Sequence, residues 1–107
     1  MLLTTTDGFA GRTIATYLGL VVGIHLSESR LQKSFSSGGI RGISVGKPHS
    51  YGDDLADCLK AAEAEVVAKA AALGADGVVG IDVDYQLLGD ESHLVMVSIS
   101  GTAVALA

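Results

Sequence analysis

Between Asp53 and Leu73 the apolar residues Leu55, Leu59, Ala62, Val66, Ala70 and Leu73 recur three and four positions apart, which is the period of one face of an α-helix. Asp53 and Asp54 open the segment, where the helix dipole favours negative charge, and Gly74 follows its last apolar residue, where helices commonly end on a left-handed residue. At about 1.5 Å per residue such a helix is roughly 30 Å long. In a chain of 107 residues it must be the element around which the rest is arranged. Its opposite side carries Ala61, Ala64, Ala68 and Ala71. Small side chains let a second backbone come close, but alanine is also the best helix former and suits a solvated face. Both readings are open at the level of sequence.

After Gly74 the period changes from helical to alternating. Val79, Ile81, Val83 and Tyr85 fall on one side and Gly80, Asp82 and Asp84 on the other, the pattern of a strand with one buried face. Leu94 to Leu106 reads as a second, longer strand, and Gln86 to His93, with Gly89-Asp90, as a hairpin connection. Upstream, Thr13 to Leu26 is β-branched or aliphatic and reads as a strand, with Gly19 and Gly23 as points of bulge or close approach. Ser27 to Phe35 places Leu31 and Phe35 four apart and suggests a short helix capped by Ser27 or Ser29. Glycines 38, 39, 42 and 46 then break any regular pattern. The expectation is one α+β domain over residues 1–107, a small antiparallel sheet with one long helix.

Composition bears on partners. Apolar residues make up 49% of the chain and charged residues only 18%, so a domain with this much surface has apolar side chains left over, and self-association is the expected outlet. A formal net charge of -5 argues against nucleic acid and against an anionic membrane surface, both of which demand clustered Lys and Arg. The apolar run Tyr17 to Leu26, interrupted by two glycines, is far shorter than the roughly 20 residues of a spanning helix. The lone Cys58 forms no internal disulfide, and the first residues lack the basic and apolar regions of a secretory signal. A cytoplasmic protein is expected.

Asp82 and Asp84 are the sharpest chemical feature. Aspartate is disfavoured in strands, and two carboxylates on one face repel each other unless a cation or a basic side chain relieves them. They are therefore the candidate metal ligands, against the plainer reading of a solvated face bonded to Ser98 or Ser100. His25, His49, His93 and Cys58 stand too far apart for a compact zinc or copper motif, and Cys58, beside the Leu/Val stripe, reads as a partly buried thiol. Gly42-Ile43-Ser44-Val45-Gly46 matches a nucleophile-elbow pattern, but the chain lacks the large sheet and following helix that the elbow needs. Gly46-Lys47 is followed by Pro48 where a phosphate loop requires Ser or Thr. Arg41 and Tyr51 flank the glycine-rich turn and are candidates for ligand contact, or else an ion-pair partner and a rim aromatic. No nucleophile, base and orienting group fall together, so an enzyme is not expected.

The run Gly74-Ala75-Asp76-Gly77-Val78-Val79-Gly80-Ile81-Asp82-Val83-Asp84-Tyr85, with Leu94 to Val104, Tyr17 to Gly23, Ile40-Arg41 and Tyr51, resembles the YbjQ family of bacterial proteins. The resemblance implies a dodecin-like subunit, a ring-shaped homopentamer, and a label of heavy-metal binding with no established activity. Ile24 and Gly42 stand where that family usually has acidic residues, and Lys47-Pro48-His49 replaces a Gly-Arg-rich turn. The combined expectation is a homo-oligomer that binds a divalent metal or small ligand between subunits, or a scaffold without ligand.

Overall fold

The computed structural model describes residues 1–28, 51–88 and 94–107, apart from the side chains of residues 28, 51–54 and 88. Five elements follow in chain order: β1 (Leu2–Leu3), β2 (Ile14–Glu28), α1 (Tyr51–Ala72), β3 (Gly77–Leu88) and β4 (Leu94–Leu106). The strands form one sheet in the order β1-β3-β4-β2, with β2 at one edge.

The helix forms where the apolar stripe required it. Cys58, Ala62, Val66 and Ala70 are fully or almost fully buried, and they pack on Val21 of β2, Val78 of β3 and Val95, Val97, Ile99 and Ala103 of β4. Each large side chain buried in this way contributes about 1.5–3 kcal/mol relative to exposure. Leu73 lies beyond the end of the helix and is exposed, so the stripe stops at Ala70. Gly74 adopts φ 80°. Its N–H reaches the Ala71 carbonyl at 2.9 Å while the Ala75 N–H reaches the Ala70 carbonyl at 3.0 Å, the paired bonds of a Schellman cap. The alanine side of the helix, at Ala64, Ala68 and Ala71, faces outward from the chain.

Both glycines of β2 act as the sequence suggested. Gly19 has φ 130° beside a register shift between Tyr17 and Gly19. Gly23 lies directly beneath the helix, where a Cβ would collide with the Ala62 carbonyl oxygen. This contact seats α1 over β2 and β4, so that the helix side of β3 is less covered.

Three expectations change. The sheet is mixed rather than antiparallel, because Leu2 and Leu3 pair in parallel with Gly77 and Val78; two residues are too few to display a period in the sequence. Ser27 and Glu28 continue β2, paired with Val95 and Leu94, so no helix begins at Ser27; residues 29–35 lie outside the described residues. The strict alternation in β3 breaks at Gly80, whose φ of 62° accompanies a register shift between Val79 and Asp82. This bulge puts Val78 and Ile81 on the helix side, where both lie beside the position a Cβ on Gly101 would occupy. Val79 is consequently on the opposite face from Ile81. The hairpin is present as antiparallel pairing of β3 with β4 up to Leu88 and Leu94. Among the described residues no helix is long and apolar enough to cross a membrane.

Candidate functional site

Beyond the bulge, alternation resumes and decides what the open face of the sheet displays. Ile81 and Val83 turn toward the helix side, and Asp82 and Asp84 turn away from it, both exposed. The register joins them into rows across the sheet. Asp82 stands opposite Ser100, which stands opposite Val22; Asp84 stands opposite Ser98, which stands opposite Ile24. Paired residues share a face, so the open face grades from carboxylates on β3, through hydroxyls on β4, to aliphatic side chains on β2.

The two carboxyl groups interact directly. A hydrogen bond with Asp82, then the repulsion of its charge, holds the Asp84 carboxyl above its ordinary range. Two like charges this close take up a shared proton or a cation, and a pair of carboxylate oxygens is hard-donor chemistry suited to calcium- or magnesium-type ions. Among the described residues neither Cys58 nor His25 joins them. Cys58 is completely buried under the helix, and His25 lies on β2 near Glu65. Among the described residues no three His, Cys, Asp or Glu side chains are grouped to hold a metal.

Arg41 and the glycine-rich segment, including the Gly42 to Gly46 pattern, His49 and His93 lie outside the described residues. Tyr51 is the first residue of α1, and its side chain is outside them too. Sequence reasoning missed two features. One is an apolar groove of about 280 Å³ between α1 and β3, lined by Leu3, Leu59, Val66, Ile81 and Val83, with Glu63 at its polar margin. The other lies at the edge of β2 that faces away from β4. Glu65 Oε1 accepts the Ile24 N–H at 3.0 Å, Lys69 Nζ donates to the Val22 carbonyl at 2.7 Å, and the two side chains are paired at 3.1 Å. The bond from Ile24 and then that from Lys69 hold the Glu65 carboxyl below its ordinary range. Their Glu-to-Lys spacing of four was the only signal in the sequence, and it marks a solvated helix face as readily.

The model of the YbjQ family, described as "putative heavy-metal-binding", matches residues 1–107. The chain belongs to the YbjQ family. A crystal structure of a protein of unknown function from Pediococcus pentosaceus ATCC 25745, assigned to the DUF74 family, superposes with a TM-score of 0.69 at 16% identity, covering 100% of this chain and 98% of that one. At that identity the likeness concerns the fold, a small α+β unit with a four-stranded mixed sheet and one long helix. For this YbjQ chain the described donors suit a hard cation better than a soft heavy metal.

Proposed function

We propose that the chain works as a cytoplasmic homo-oligomer, the ring-shaped, dodecin-like pentamer that the family resemblance implies, and that Asp82 and Asp84 supply half of a divalent-cation site completed by a neighbouring copy. The observation that carries the metal reading is the pair of carboxyl groups two residues apart on one exposed strand face, aligned with the hydroxyls of Ser100 and Ser98, with no third His, Cys, Asp or Glu grouped with them among the described residues. Oligomerisation is supported independently by the open face of β2, where Leu20, Val22, Ile24 and Leu26 are 80%, 39%, 52% and 53% exposed. An aliphatic row of this kind is a surface that association covers. The protein acts by binding, without turnover.

Calorimetric titration of calcium, zinc, nickel and copper into wild type and into D82N/D84N tests the site. Stoichiometric binding that the variant loses, with its circular dichroism and assembly size intact, is expected. Equal binding by both proteins removes Asp82 and Asp84 from the site. The exposed row also favours a second reading, a scaffold that holds copies or partners together without a ligand. That reading expects L20E/I24E to dissociate the assembly while no metal binds wild type above background.

A further inference from the structure

An edge strand that is long, aliphatic and exposed is a template for uncontrolled pairing with another chain, and folded proteins usually blunt such an edge with charged side chains, bulges or a covering element. Among the described residues β2 carries this hazard beyond its bulge at Tyr17–Gly19. It spans fifteen residues at the sheet edge, and its open face is the row Leu20, Val22, Ile24 and Leu26.

A strand adding beside Gly23 would present a carbonyl to the Ile24 N–H and an N–H to the Val22 carbonyl, because these two groups point away from β4 and flank one bridge position. Both are already occupied. Glu65 supplies the carboxylate oxygen where the carbonyl would sit, and Lys69 supplies the ammonium where the amide would sit, at 3.0 and 2.7 Å. Their own contact of 3.1 Å holds the pair as a unit. The reach depends on Gly23: only a residue without Cβ lets the Ala62 backbone lie against the strand, which brings the next turn of α1 level with the edge.

We propose that Glu65 and Lys69 form a side-chain cap that occupies the backbone of β2 at Val22 and Ile24 and so prevents a strand of another copy from pairing there. The cap steers self-association away from strand addition at this point and leaves contacts through side chains. It is independent of the metal reading, because neither Asp82 nor Asp84 takes part.

The test compares wild type, E65Q and E65A/K69A by sedimentation velocity over a range of concentrations, with hydrogen exchange read at the Ile24 amide. E65A/K69A is expected to shift to species larger than those of wild type as concentration rises, with the Ile24 amide exchanging more slowly in the large species than in the small ones. E65Q, which keeps an acceptor oxygen for that amide, is expected to keep the wild-type distribution. An unchanged distribution in E65A/K69A, a shift to smaller species, or larger species in which the Ile24 amide is no better protected overturns the proposal. If the double variant loses its folded circular dichroism, E65A and K69A, each uncapping one group, are read in the same way.

Discussion

Replacing Gly23 by alanine adds one methyl group at the point where the helix meets the sheet. That Cβ would collide with the Ala62 carbonyl oxygen and lie 3.1 Å from Val66 Cγ2 and 3.2 Å from the Ala62 carbonyl carbon. Two of these three atoms are helix backbone, so no side chain can swing aside and α1 itself must lift. Overpacking costs about 1–3 kcal/mol, and a clash with helix backbone belongs in the upper half of that range; against about 0.4–1 kcal/mol gained by stiffening the unfolded chain, the net loss is roughly 1–2 kcal/mol. For a domain of this size each kcal/mol lowers Tm by about 4–8 °C, so G23A should melt roughly 5–15 °C below wild type. The assay is thermal and urea unfolding at one fixed protomer concentration, since association shifts apparent stability. Gly8 is the internal control: nothing lies within 4 Å of its would-be Cβ, so G8A should match wild type or gain slightly. G23A as stable as wild type, or G8A destabilised as much as G23A, would refute the close-approach account.

Four further outcomes follow from particular contacts. G74A forces a Cβ into the left-handed region at φ 80° and should cost about 1–2 kcal/mol in urea unfolding. V66A leaves a cavity under the helix, where Val66 is almost fully buried, and should cost about 2–3 kcal/mol in the same assay. Glu65, bonded to Ile24 and Lys69 and near His25, has a carboxyl held below its ordinary range; its contribution is therefore fully present above the unfolded value and lost as pH falls through the folded one, and E65Q should flatten that part of the acid stability profile. Asp84 has the opposite sign, since its raised carboxyl favours the protonated folded state at low pH and loses that advantage as pH rises through the folded value. In D82N the Asp84 titration followed by NMR should move down toward the ordinary aspartate range, because the carboxyl–carboxyl hydrogen bond that favours its neutral form and the repelling charge are both gone.

Much of the fold was legible because it rests on period and on glycine. The 3.6-residue stripe located α1, the Gly74 cap appeared directly after Leu73, the last residue of the sequence pattern, and Gly19 and Gly23 marked a bulge and a close approach. The rest depends on partners distant in sequence. Leu2 and Leu3 become a strand only because Gly77 and Val78 are beside them. Period counting places Val79 with Ile81, and the positive φ at Gly80 reverses that. In the candidate site, the spacing of two put Asp82 and Asp84 on one face, but their alignment with Ser100 and Ser98 required the register of β4. The roles of Glu65 and Lys69 were hidden because their partners lie 41 and 47 positions away on a strand edge.

Native mass spectrometry of wild type across a zinc or calcium titration bears most directly on the central claim, because one spectrum reports both assembly size and metal count. The proposed shared site predicts that metal adds in proportion to subunit number on the oligomer and is absent from dissociated single chains, since no three metal-ligating His, Cys, Asp or Glu side chains are grouped among one chain's described residues. Metal retained equally by single chains would contradict a site shared between copies, and an oligomer that takes up none would contradict metal binding altogether.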